Sequence, residues 1–216
     1  MGTQQQVLEP FKGDAFAGLR EQVATLFSLG QAQATGFEGE IAAALRASRG
    51  EGADHQMLPI EGIVASRSAV HGYPACTTRE QMAEAVRAGL RELMPGDGTD
   101  LGWATAFVVK MLSRLLESGE PSGEKRFHFP LIDGLSIVRL DLKARYADVS
   151  APELRQAVEK IVVVAAVKSV VDLNAFDSRG FLAIYQHVLL SADVGPREIE
   201  REVERAVVTL RKLKAL

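Results

Sequence analysis

The sequence predicts an α+β protein in which a mainly helical N-terminal region precedes an antiparallel sheet with its helices packed on one face. Up to about residue 117, apolar residues recur at the spacing of amphipathic helices, and from Lys125 onward they alternate as in half-buried strands. Residues 192–208 also repeat the pattern of residues 147–163. This internal similarity predicts two strand–strand–helix units, at residues 125–168 and 170–214.

The composition restricts the class of protein. Of the 216 residues, 47% are hydrophobic, which suffices for a packed core. The 25 basic and 28 acidic residues leave a net charge of −3, so charge favours neither nucleic acid nor an anionic membrane as the main partner. The single cysteine excludes an intramolecular disulfide, and no secretory signal precedes the first predicted helix. We therefore expect a cytoplasmic protein.

The N-terminal region is predicted to contain two helices and a short strand. The first helix begins at Asp14, and its apolar face consists of Phe16, Leu19, Val23, Leu26 and Phe27. The second is shorter and carries Ile41, Ala44 and Leu45. A polar loop at residues 49–56 follows, and then a short strand, which Pro59 restricts to the edge of a sheet or replaces with irregular structure.

Two further helices have distinct start and stop signals. Thr77 and Glu80 fit a capping box, and the sequence PGDG at residues 95–98 ends that helix. Asp100 is predicted to cap the next helix, whose apolar stripe consists of Trp103, Phe107, Val108, Met111 and Leu115. We assign residues 1–95 to the N-terminal region and residues 99–216 to an α+β domain.

The C-terminal half begins with a predicted hairpin. Val138, Leu140 and Leu142 alternate with charged residues, as in a strand buried on one face, and RFHF at residues 126–129 is its antiparallel partner. Residues 161–167 are compatible with a strand or a helix, and the similarity to the amphipathic segment after Pro196 favours a helix. Between the two similar segments, residues 170–190 predict a second hairpin that turns at DSRG, residues 177–180.

The layout resembles that of bacterial YbjN-like and type III secretion-chaperone-like domains. The resemblance lies in the helix at residues 100–117, the hairpin at 125–146, and the stretch at 181–213, FLAIYQHVLLSADVGPREIEREVERAVVTLRKL. It implies a non-catalytic, usually dimeric protein that binds other polypeptides, and it transfers no catalytic residue. Residues 1–95 have no counterpart in those families.

The sequence contains few candidates for chemistry. Neither a phosphate-binding loop nor a set of residues at metal-ligand spacing is present, so we expect no cofactor and no metal. Cys76 lies just before a predicted helix, where a thiolate is favoured, and His71 is a candidate base. The alternative interpretation of Cys76 is a small hydrophobic residue with no chemical role.

Three functions are compatible with these observations. The leading hypothesis is a non-enzymatic, self-associating protein-binding module, chaperone- or adaptor-like. Its expected interaction surface consists of Phe16, Leu19, Val23, Phe27, Trp103, Phe107, Ile161, Val163 and Val164. The second is a lipid- or membrane-acting protein whose amphipathic helices, such as residues 14–29, cover a sheet; its polar face is not basic, which disfavours it. The third is an enzyme of unrecognised type that uses Cys76.

Overall fold

The computed structural model describes residues 4–47, 58–73, 79–94, 100–117, 120–134, 136–175 and 177–215. A 3-10 turn, Asp14–Phe16, leads directly into the second helix. In chain order, the helices and strands of these ranges are α1 Gln4–Leu8, α2 Ala17–Ala47, β1 Ile60–Tyr73, α3 Arg79–Leu93, α4 Asp100–Leu116, β2 Ser122–Asp133, β3 Ser136–Asp148, α5 Pro152–Arg155, β4 Lys160–Val171, α6 Ser178–Ser191 and α7 Pro196–Leu213.

The four strands form one antiparallel sheet in the order β1–β4–β3–β2. β2 and β3 form the predicted hairpin, and its turn contains Gly134 with a φ of 60°, a conformation that favours glycine. β1 is an edge strand that begins directly after Pro59, as predicted. Because β1 pairs with β4, the sheet contains strands from both sides of the predicted boundary at residues 95–99.

Helices cover both faces of the sheet, so the prediction of helices on one face is wrong. α2 is a single 31-residue helix where the sequence predicted two. It crosses β1 and β4 and buries a stripe at spacings of three and four residues: Val23, Phe27, Gly30, Ala34, Phe37, Ile41 and Leu45. Gly30 permits close packing, because a Cβ there would stand 2.8 Å from a Val70 methyl group. The other face packs against α3, α4, α6 and α7.

Residues 161–167, which the sequence analysis assigned to a helix, form the middle of β4 instead. The only helical residues just before them are the single turn α5, Pro152–Arg155, and the strand follows it. Val163 and Val167 pack under α2, whereas Val162 and Ala166 belong to the core on the opposite face. A central strand covered on both faces is apolar throughout, and its β-branched residues favour the extended conformation.

The second predicted hairpin, at residues 170–190, is also wrong, because most of it forms helix α6. The Asp177 carboxylate caps this helix by accepting hydrogen bonds from the amides of Arg179 (3.1 Å) and Gly180 (3.0 Å). Residues 147–163 and 192–208 therefore adopt different structures despite their similar sequences, and the two strand–strand–helix units are not formed. The α+β class, with a helical N-terminal region before an antiparallel sheet, is confirmed.

Candidate functional site

Most residues of the expected interaction surface lie in the core. Six of the nine are buried: Val23, Phe27, Trp103, Phe107, Ile161 and Val163. Leu19 and Val164 are partly buried against the core, and Phe16 is 39% exposed beside Phe11. The apolar face of residues 14–29 that motivated the membrane hypothesis packs largely on the sheet. These residues consequently do not form one exposed surface.

The two residues proposed as a catalytic pair are not brought together by any described contact. Cys76 lies outside the described residues. His71 lies on β1, with its side chain on the face that α3 covers. The sequence analysis selected His71 as a possible catalytic base. In the structure, His71 instead lines a groove between β1 and α3.

A groove runs between β1 and α3, and we call it the β1–α3 groove. Arg67, Ala69 and His71 form its β1 wall, and Ala85 and Gly89 are among the residues of its α3 wall. Its volume is about 730 Å³, and it opens to solvent. Gln81, Glu84 and Glu92 of α3 also line the groove, and between them the small residues Ala85, Ala88 and Gly89 leave space between the helix and the strand. No sequence motif indicates this groove, because its two walls are separate elements.

The floor of the groove leads into an apolar cavity of about 70 Å³. Arg67, Ala69, His71, Ala85 and Gly89 line both the groove and this cavity. Deeper in, the lining consists of aliphatic side chains from α3, α4, β3 and β4, namely Val86, Leu90, Leu93, Val108, Leu112, Leu142, Val164 and Ala166. The cavity is therefore suited to an apolar group that enters from the groove.

The backbone of β1 offers a free edge along the same groove. Among the described residues, β1 pairs only with β4. The Tyr73 carbonyl accepts a hydrogen bond of 2.8 Å from the Glu159 amide, so the backbone of Tyr73 points toward β4. In an antiparallel ladder this direction alternates. The backbone groups of Ser66, Ser68, Val70 and Gly72 accordingly point away from β4. Gly72 is buried against Val7, Phe27 and Val158, so we call Ser66, Ser68 and Val70 the open edge.

The charges around the groove are largely compensated. Arg67 and Glu92 form an ion pair between the two walls, and both side chains are about half exposed. Burial lowers the pKa of His71 from 6.5 to about 4, so its imidazole is neutral at pH 7. On the opposite face of β1, Gln31 of α2 donates to the Ser68 hydroxyl (3.2 Å), and the Ser66 hydroxyl donates to Glu38 (3.1 Å). Ion-paired and apolar residues therefore share the groove side, whereas Ser66 and Ser68 carry hydrogen bonds on the α2 side.

A second polar cluster is enclosed in the core and joins α4, β2, α6 and α7. Asp100, predicted as a helix cap, accepts a hydrogen bond from the Ile132 amide (2.6 Å) and pairs with Arg205. Arg205 also binds Glu202, and Tyr185 donates to Asp100 (3.4 Å). Burial raises the pKa of the Asp100 carboxyl, although Arg205 and the Ile132 amide oppose this shift. Asp100 and Glu202 are almost fully buried, so this cluster holds helices together and offers no open site.

Comparison with models of protein families, with characterised proteins and with solved structures found no match to this chain. Within the described ranges, none of the helices combines the length and the apolar character needed to cross a bilayer. In those same ranges, His, Cys, Asp and Glu residues do not gather in groups of three that would hold a metal ion. The β1–α3 groove is therefore the feature from which a function can be inferred.

Proposed function

We propose that this protein binds an extended segment of another polypeptide, which adds as a fifth strand to the open edge in the β1–α3 groove. The observation that carries the proposal is the coincidence of free backbone groups on β1 with an apolar cavity beside them. Strand addition uses main-chain hydrogen bonds for affinity and pockets for alternate side chains for specificity. A chaperone- or adaptor-like role in the cytoplasm, expected from the sequence, remains part of the proposal.

The shape of the site favours a peptide over a small molecule. Small-molecule sites usually enclose 70–90% of their ligand. Here the apolar cavity measures only about 70 Å³, and it continues into an open groove. A small molecule would stay mostly in water, whereas a peptide backbone along β1 would gain the hydrogen bonds of Ser66, Ser68 and Val70.

The experiment uses a displayed library of random nonapeptides, selected against the full chain. Peptides that bind are then measured against Ser68→Pro, which removes one amide donor of the open edge, and against Gly89→Leu, which places a side chain in the groove. A Cβ at Gly89 meets no atom within 4 Å, so this substitution leaves α3 undisturbed. We expect each variant to weaken binding by roughly tenfold or more, the equivalent of about 1.4 kcal/mol.

The matched control is Gly39→Leu on α2, at another open glycine on the opposite face of the sheet. It should leave peptide affinity unchanged. Undiminished binding by both groove variants would overturn the proposal, as would a library that contains no binder. The remaining alternative is that a second copy of the chain occupies the open edge. Light scattering of the unliganded protein tests it. A native dimer that becomes a monomer in both groove variants would support this alternative.

A further inference from the structure

We infer that the ligand is recognised by one aliphatic side chain, of the size of valine, leucine or isoleucine, which enters the apolar cavity opposite Ala69. This inference rests on the proposed strand addition and names the chemistry of its ligand. It makes Ala69 and Val86 the residues that determine the size of the accepted side chain, since they lie on the two walls of the cavity.

The position follows from the geometry of β1. Ser68 and Val70 belong to the open edge, so they would exchange hydrogen bonds with an incoming strand. Ala69 lies between them, and its backbone is directed to β4. Toward the incoming strand, Ala69 is therefore a non-hydrogen-bonded position. Residues opposite each other at such positions approach to about 4.5 Å between Cα atoms and project from the same face. The ligand residue opposite Ala69 therefore projects into the cavity, over the small Ala69 side chain.

The size follows from the volume. A cavity of about 150 Å³ admits benzene, and the cavity beside Ala69 has about half that volume, 70 Å³. It accommodates an aliphatic chain of three or four carbons but not an aromatic ring. The ligand residue opposite Ser68 would face α2 where Gln31 and Glu38 present polar groups to Ser68 and Ser66. The ligand pattern is consequently an aliphatic residue next to a polar one.

The chemistry follows from the lining. Val86, Leu90 and Val164 surround the deeper part of the cavity, and the charged or polar side chains, Arg67 and His71, stand on the β1 wall. A polar ligand group would lose its hydration among these aliphatic groups without gaining a hydrogen bond, which costs a few kcal/mol. An aliphatic side chain would gain the free energy of burial instead.

The same geometry disfavours a second copy of the chain as the occupant. Side chains that oppose each other in paired strands project from the same face of the sheet. In a symmetric β1–β1 pair, each groove-facing residue of one copy would therefore oppose a groove-facing residue of the other. The residues of β1 that would then face Ala69 are Arg67, Ala69, His71 and Tyr73. None of them is an aliphatic chain of three or four carbons. A symmetric β1–β1 pair therefore leaves the cavity without its anchor, which favours a segment of a different polypeptide.

The test compares the random nonapeptides selected by the native protein with those selected by Val86→Ala, which enlarges the cavity by two methyl groups. For one selected peptide, the anchor is also changed from leucine to phenylalanine. We expect the native protein to prefer leucine by roughly tenfold or more, and Val86→Ala to reduce this ratio to near one. Val208→Ala, at an exposed valine of α7, is the matched control and should select as the native protein does.

The outcomes separate this inference from the proposed function. An aliphatic anchor whose size preference changes in Val86→Ala supports the inference. Two outcomes would overturn the inference and leave strand addition in place, provided that the selected peptides lose affinity with Gly89→Leu. The first is that these peptides share no aliphatic position. The second is that their preferred anchor size is the same in Val86→Ala as in the native protein. Peptides that bind Gly89→Leu and Ser68→Pro as well as the native protein overturn both.

Discussion

The two edge strands of the sheet differ in how they are protected from further pairing. β2 carries three consecutive charged residues, Glu124, Lys125 and Arg126, and Pro130, which has no amide hydrogen to donate. Pro59 precedes β1, and the register irregularities of β1 lie only before Ala65. Its second half runs in regular register, and small residues such as Ser66, Ser68 and Ala69 flank the charged Arg67 there. Natural proteins usually block edges with charges, proline and bulges. The second half of β1 has fewer of these features than β2, and this difference motivates the proposed strand addition at β1.

The largest effect that tests this comparison is expected from proline scanning of β1. Ala69→Pro removes an amide that points to β4, and it should lower the free energy of unfolding by about 3 kcal/mol or more. Ser68→Pro removes an amide of the open edge and should cost less than about 1 kcal/mol. Urea denaturation measures both. Equal losses would show that the assignment of inward and outward amides is wrong.

The second effect concerns His71 and acid. The folded protein holds the pKa of His71 at about 4, below its ordinary 6.5. Below pH 6.5 the unfolded chain binds a proton that the folded chain does not, so stability falls as the pH decreases from 6.5 to 4, by about 3 kcal/mol in total. In His71→Gln, the free energy of unfolding should no longer fall by this amount between pH 6.5 and 4. Denaturation curves at several pH values measure it, and identical pH profiles for variant and native protein would contradict the burial of His71.

The third effect would come from opening the blocked edge. Lys125→Val combined with Pro130→Val removes a charge and restores an amide donor on β2. We expect association between chains to strengthen by roughly tenfold, about 1.4 kcal/mol. Sedimentation velocity over a range of concentrations measures this change. Unaltered association would show that β2 is protected by something other than these two residues.

The smallest effect compares glycines on the two sides of the sheet. Gly89→Ala in α3 and Gly39→Ala in α2 each add a methyl group where no atom lies within 4 Å. Both should stabilise the protein by about 0.5–1 kcal/mol, because alanine restricts the unfolded chain and favours the helix. Thermal denaturation measures both variants. A loss of stability for Gly89→Ala alone would mean that the groove beside Gly89 is filled.

Much of the fold could be predicted because its elements carry their own signals. The alternation at Val138, Leu140 and Leu142 predicted β3, and an amphipathic stripe predicted α7. The expectation that β3 is buried on one face only is wrong, because Arg139 and Asp141 on its other face are buried and pair with each other. The candidate site could not be predicted in the same way. Ala69, Gly89 and Val164 lie on three separate elements, and no pattern in the sequence indicates that small residues on two of them leave a space.

The similar segments 147–163 and 192–208 show where local patterns stop being informative. Both begin with a turn followed by proline and a stretch of alternating charged and apolar residues. In the second segment, Glu and Arg side chains accompany the apolar stripe, and the segment forms α7, with one face in solvent. In the first, the run from Ile161 to Val167 has apolar residues at every position. Such a run is consistent with a buried helix or a buried strand, and its own periodicity does not distinguish them.

The sequence by itself determined the α+β class, the hairpin of β2 and β3 and the amphipathic helices α3, α4 and α7, because each depends on residues close together in the chain. The tertiary structure decided that residues 161–167 form a central strand, since only β1 and β3 on either side and helices on both faces supply the hydrogen bonds and the burial that a strand there requires. It also decided the open edge and the cavity beside it, because an unfilled space is a property of how distant elements pack.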